Sequence, residues 1–251
     1  MEHSWGAVTI LSVSTQKKIS SMKNKRINNK IIKLWDKYFK DDASVRAPIF
    51  YDTFNKNSLL FVGINPSSTL RGHKKFHQGT ELEHVNPETY FLWKNVRENE
   101  LVIKSCIEAE RKSINEYRYF KPMHDIANNL SVTMEHIDLF LYKMTNQSDF
   151  EKLIYTNGEL NQFATSQLTI FEDALFAVDP KVIVVANAFG SRLVKEYYKD
   201  KISYNKNKGW YTFSINNRIV PLFFSSMLSG QRSLDVHSRE RLEWHIQKAL
   251  K

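Results

Sequence analysis

The residues best placed for chemistry lie in one stretch, Ser58-Leu59-Leu60-Phe61-Val62-Gly63-Ile64-Asn65-Pro66-Ser67-Ser68. Its first half is a continuous apolar run of strand length, the pattern of a strand buried on both faces of a sheet. Gly63 stops that strand, and an amide, a proline and two hydroxyls follow. In open α/β sheets ligands bind just outside the carboxyl ends of such strands, so Asn65 is expected to face the chemistry. A neutral amide is too weak a base to take a proton, but its oxygen can orient a water. Two further clusters are informative. His73 and His77 would offer metal ligands on a helix, but Gly72 and Gly79 mark a loop, and no metal is expected. Tyr117-Arg118-Tyr119-Phe120-Lys121 interleaves rings with bases. That pattern either stacks on a nucleic-acid strand or tucks its rings under a helix.

Around these residues strands and helices alternate. Ile27, Ile31, Leu34, Trp35, Tyr38 and Phe39 recur at helical spacing, with lysines between them. Residues 96–115 are predicted helical, with Val102, Ile103, Cys106 and Ile107 on the apolar face. Ile137–Tyr142 reads as a second strand. Leu168, Phe171, Leu175 and Val178 mark a helix closed by Asp179-Pro180, and Val182–Val185 is the plainest parallel strand. A helix around Leu193–Tyr198 follows. Trp210–Ile215 and Ile219–Phe224 flank Asn216-Asn217 as a hairpin, and Leu242, Ile246, Ala249 and Leu250 face one side of a last helix. The pattern implies an α/β fold, a mainly parallel sheet with helices on both faces. Right-handed crossovers would gather the loops after Gly63, Tyr142, Val185 and Phe224 around a single cleft. Residues 1–21 are read as a disordered lead or an upstream start, and 22–251 as a single domain.

Charge supplies the broad class. The 36 Lys and Arg against 27 Asp and Glu leave +9, which suits a polyanion, nucleic acid first and an anionic membrane surface second. Cys106 is the only cysteine. It excludes an intramolecular disulfide, a multi-cysteine zinc site and a cysteine-held iron–sulfur cluster within the chain, and suits a reducing, cytoplasmic setting. No apolar stretch approaches the roughly 20 residues needed to span a bilayer, so no membrane partner is expected. Ala7–Val13 lacks the basic flank of a signal peptide.

Taken in order, these motifs resemble the uracil-DNA glycosylase superfamily, nearest to its mismatch-specific uracil/thymine branch. That branch's Gly-Ile-Asn-Pro-Gly motif is matched by Gly63-Ile64-Asn65-Pro66, with Ser67 replacing the second glycine. Asn86-Pro87 followed by Phe91, Trp93 and Lys94 is similar to its Asn-Pro…Phe-Trp-Lys. Asp179-Pro180 before Val182–Val185 and the helix after Gly190 resembles its penultimate strand–helix unit, and Ser229-Gly230 resembles part of its Asn-Pro-Ser-Gly motif. The likeness runs from Leu59 to Leu250. Two departures stand out. Met227 and Leu228 replace the His or Asn and the Pro of the last motif. Tyr142, Lys143 and Asn146 occupy the loop where the family often carries a uracil-reading Asn.

The resemblance implies a three-layer sandwich around a mainly parallel four-stranded sheet, flanked by helices. It implies a monofunctional, monomeric DNA N-glycosylase that needs no cofactor and flips a base from the stack. Asn65 would position the water, with Asp235 as either a second catalytic group or the N-cap of the last helix. Gly63, Ile64, Pro66, Ser67, Phe76, Tyr90, Tyr142 and Lys143 would form the base pocket. Lys143 also keeps a Schiff-base mechanism open. Ser229, Gly230, Gln231, Arg232 and His237 would meet DNA in the groove or at phosphates. The small Ser67 leaves room at C5. The expected substrate is therefore a modified pyrimidine, such as a hydroxymethylated or glucosylated cytosine of phage DNA excised in antiviral defence. The alternatives are uracil or mismatched-thymine repair, and a non-catalytic nucleic-acid-binding relative.

Overall fold

A computed structural model describes residues 24–67, 78, 82–215, 217–231 and 233–251. The lead 1–21, the pair His73 and His77, and the site candidates Phe76 and Arg232 lie outside the described residues.

The sheet is organised by two runs that are apolar at every position. β1 (Leu59–Gly63) and β5 (Val182–Ala186) are buried throughout, the state their sequences require. β2 (Met134–Asp138) pairs with β1, β1 with β5, and β5 with β8 (Arg218–Ser225), all parallel. The pair β3 (Tyr155–Thr156) and β4 (Glu159–Leu160) forms a separate small ribbon. β6 (Ile202–Asn205) and β7 (Trp210–Ile215) add to β8 antiparallel, giving the order β2-β1-β5-β8-β7-β6. The sheet therefore has six strands rather than four. Four parallel strands form its kernel, and a hairpin with a largely polar outer strand extends it. β7 and β8 pair as the predicted hairpin, with Asn217 in the left-handed region at φ 61°, and Asn216 lies outside the described residues.

The second strand needs a sharper correction. It ends at Asp138, not Tyr142, because β1 turns away after Gly63 and the ladder loses its partner. Leu139, Phe140 and Leu141 continue as buried chain outside the sheet. The Leu139 and Phe140 N–H groups follow the β1 loop by donating to the carbonyls of Gly63 and Ile64.

Alternating residues of the strands feed two cores, one on each face of the sheet. Leu60, Val62, Ile183 and Val185 join α1 (Lys25–Phe39) and α7 (Gln162–Val178) in the larger one. α4 (Glu100–Glu116) adds Val102, Ile103, Cys106 and Ile107 to it, and α8 (Ala188–Tyr197) adds Phe189, Leu193 and Val194. Leu59, Phe61, Val182 and Val184 meet α5 (Lys121–Asn129) and α9 (Val236–Leu250) in the other. Two short helices, α2 (Pro87–Tyr90) and α3 (Trp93–Val96), and α6 (Gln147–Ile154) complete the α-helices among the described residues, and a 3-10 turn spans Arg118–Phe120.

Two buried amides fix segments that lead to the site. Gln167 of α7 accepts from the Leu141 N–H, holding the chain beyond β2. Asn28 of α1 is fully buried, and its side chain both donates to the Tyr51 carbonyl and accepts from the Tyr51 N–H. Replacing Asn28 with Ala strands both backbone groups, so a loss of about 2–4 kcal/mol is expected. Chemical denaturation measures it, and a loss below about 0.5 kcal/mol would contradict this role for Asn28.

Candidate active site

All four loops at the carboxyl ends of the parallel strands line one cleft of about 420 Å³. Ile64, Asn65, Pro66 and Ser67 come from the β1 loop, and Lys143, Met144 and Thr145 from the chain after β2. Asn187 follows β5 and Met227 follows β8. Volume and position are those of a small-molecule or base-sized site.

Asn65 is held by its own chemistry. Its Nδ2 donates to the Met144 carbonyl at 2.7 Å and to the Tyr142 carbonyl at 3.3 Å. Only the NH₂ can face carbonyl oxygens, so the amide orientation is fixed. Its Oδ1 accepts nothing among the described residues and is the acceptor left for a ligand or a water. The Met144 N–H returns a bond to the Pro66 carbonyl, and Ser67 Oγ lies 3.2 Å from Thr145 Oγ1. The two loops are thereby clipped together.

The same cleft holds a group of titratable side chains of which the sequence pattern singles out only Tyr119. Register sets Gly63 opposite Asp138, and the Asp138 carboxyl folds over the glycine. A Cβ at Gly63 would lie 2.1 Å from Asp138 Oδ1 and 3.1 Å from His136 Nε2. Asp138 is 7 % exposed and lines the cleft, and its carboxyl has no hydrogen bond among the described residues. Burial holds it well above the ordinary carboxylate range, and Glu110 of α4 adds repulsion. Glu110 is itself raised by burial, against the pull of Lys143. His136 is 8 % exposed, its Nε2 is buried without a partner, and burial pushes it down to about 4. Tyr119 is pushed up to about 12 by burial, with Asp138 contributing. The floor of the cleft thus favours neutral acids and a neutral imidazole.

The remaining candidates divide. Ile64, Pro66, Ser67 and Lys143 line the cleft, as do Tyr117 and Tyr119. Gly63 underlies it by making room for Asp138. The Tyr142 ring turns away into a cluster with Trp35, Phe39 and Phe163, and only its carbonyl reaches Asn65. Tyr90 packs edge-to-face on Phe91, and it is Phe91 that lines the cleft. Of the two roles expected for Asp235 the structure shows the cap, not a catalytic group: both carboxylate oxygens bind Ser238, one at its N–H and one at its hydroxyl, which makes it the N-cap of α9. Those bonds lower its pKa, and it does not line the cleft. Ser229, Gly230 and Gln231 form a bend closed by Leu234 N–H to the Met227 carbonyl, with Gly230 at φ 89°. Among the described residues of this loop only Met227 reaches the cleft. His237 is exposed and faces Glu240.

No family model and no curated protein matches the chain.

The buried acid has a thermodynamic signature. Folding raises the Asp138 pKa above its unfolded value near 3.9. Its contribution is therefore most favourable below that value and is lost as pH rises through the folded pKa. Asp138→Asn removes the penalty and should stabilise the protein by about 1–3 kcal/mol at pH 8, the gap closing toward pH 4. Denaturation of both proteins across that range measures it. His136 is common to both, so a gap that widens on acidification would contradict the assignment.

Proposed function

We propose that the chain is a DNA N-glycosylase that hydrolyses the bond between sugar and a flipped-out pyrimidine. The observation that carries the reading is Asn65. Its N–H groups are spent on backbone carbonyls, so Oδ1 stands as an acceptor in a cleft that fits a base. The motif order described above supports the same reading, as does the net charge of +9 for a DNA partner. The four parallel strands would then be the glycosylase-like core, with β6 and β7 an addition.

When the C1′–N1 bond breaks, its electron pair leaves with the base and positive charge builds on the sugar. Asn65 Oδ1 accepts a hydrogen bond from a water and turns a lone pair of that water toward C1′. The water oxygen bonds to C1′, its surplus proton passes through solvent to the departed base, and an abasic sugar remains. Such positioning contributes by removing the entropy of bringing water to the carbon. Tyr117 and Tyr119 offer rings at the cleft wall for stacking on the base. Ser67, small and at the lining, supports a pyrimidine substituted at C5.

The test is a panel of oligonucleotides bearing uracil, mismatched thymine, hydroxymethylcytosine or glucosylated hydroxymethylcytosine, incubated with protein and treated with alkali. Strand breaks are expected on at least one, and Asn65→Ala should slow them by about 100-fold or more without changing the circular dichroism spectrum. Binding to every substrate with breaks on none would favour a nucleic-acid-binding module instead.

A further inference from the structure

Asp138 is the group that water positioning by Asn65 leaves unused. A carboxyl more than nine-tenths buried, without a hydrogen bond among the described residues, is costly to keep. Its setting is nonetheless built. Gly63 has no side chain where the carboxyl lies. His136 faces the same spot from β2, Glu110 from α4 and Tyr119 from the turn after α4. Tyr51, ahead of β1, interacts with the carboxyl electrostatically, and Lys143 enters the cleft from the loop after β2. Burial, with Glu110 nearby, shifts the acid toward its protonated form.

A neutral carboxyl offers an O–H donor and a carbonyl acceptor side by side. Either kind of pyrimidine edge can pair with it, so binding alone does not choose a base. Proton transfer does. A uracil-type ring already carries hydrogen at N3 and can leave as its anion. A 4-aminopyrimidine, the cytosine type, has a bare N3 beside an amino donor. It leaves poorly as an anion and well once N3 is protonated. The resulting carboxylate would accept from both N3–H and the amino group, a charge-assisted pair.

We propose that Asp138 is the general acid of the cleft, giving its proton to N3 of a cytosine-type base and thereby selecting 4-aminopyrimidines over uracil-type bases. The assignment rests on the glycosylase reading of the same cleft. The step balances without any co-reactant beyond water. The Asp138 proton moves to N3, and the C1′–N1 electron pair goes to N1, releasing a neutral base. The water oxygen bonds to C1′, and the proton it sheds restores the carboxyl. Selection then acts on the rate of bond breaking more than on binding.

The experiment uses the full chain, matched oligonucleotide pairs and single-turnover rates. Each pair carries a cytosine-type and a uracil-type base with the same C5 group: hydrogen, methyl, hydroxymethyl or glucosylated hydroxymethyl. The wild type should excise cytosine-type members faster, with a rate that falls as pH rises through the Asp138 titration. Asp138→Asn, isosteric and checked by thermal melting, should lower the cytosine-to-uracil rate ratio by about 100-fold or more and lose that pH limb. An unchanged ratio with activity still abolished by Asn65→Ala would overturn the Asp138 assignment and leave the glycosylase reading standing. Excision of uracil-type members alone by the wild type would overturn it too. If no substrate is cut, the ultraviolet difference spectrum with free 5-hydroxymethylcytosine decides. An N3-protonated spectrum with wild type, lost in Asp138→Asn, keeps the proton donor and sinks the hydrolytic reading. Its absence sinks both.

Discussion

The parallel pairing of β1 with β2, in the register that sets Gly63 against Asp138, is the constraint on which the site depends. Strand side chains alternate faces, so a slip of one residue would send Asp138 and His136 to the opposite side of the sheet and bring Ile137 to the cleft. The register is held from both ends. Leu59 N–H reaches back to Thr133, while Leu139 and Phe140 follow the β1 loop past the end of the ladder. Asn65 then closes the arrangement by donating to the carbonyls of Tyr142 and Met144. One glycine, one amide and one register bring an amide oxygen acceptor and a buried acid to the same cleft.

The division of labour between Asn65 and Asp138 follows from solvation. Asn65 is half-buried, and its polar needs are met by backbone on one side only. Asp138 is buried among an acid, an imidazole that stays neutral, and phenols, with Lys143 acting on Glu110 rather than forming a close pair with Asp138. Two carboxyls in one dry space do not both ionise readily. Burial therefore favours the protonated form of Asp138 at the cleft, while Asn65 Oδ1 remains an acceptor there. That pairing suits a leaving group that needs protonation, and gives the small Ser67 a chemical context beyond size.

Much of this was legible in the sequence, for physical reasons that differ by residue. Leu59–Val62 and Val182–Val185 announce themselves because strands buried on both faces must be apolar throughout. Asn65 stands out as the polar residue that ends one of them. The gathering of four loops around one cleft followed from strand–helix alternation and crossover handedness. Asp138 did not stand out, because a single acid inside Ile137–Leu141 reads as the interior of a longer strand. The acid was itself the signal, being the costliest residue to bury in that run. Glu110 reaches the cleft from a helix distant in sequence, and no local pattern reports such convergence, whereas Tyr119 stood out through its run of interleaved rings and bases. The outer strand Ile202–Asn205 is polar and partly exposed, so it carries no apolar run to read. Asp235 was legible as a cap: Asp-x-x-Ser at a helix start is a capping pattern, and its oxygens are committed to Ser238.

The central claim is that this cleft breaks an N-glycosidic bond with water. Mass spectrometry of an oligonucleotide carrying a C5-substituted cytosine, before and after incubation with the protein, tests it most directly. The account predicts a free, intact base and a strand lighter by that base and heavier by one water. A strand of unchanged mass for every pyrimidine offered, despite binding, would contradict it.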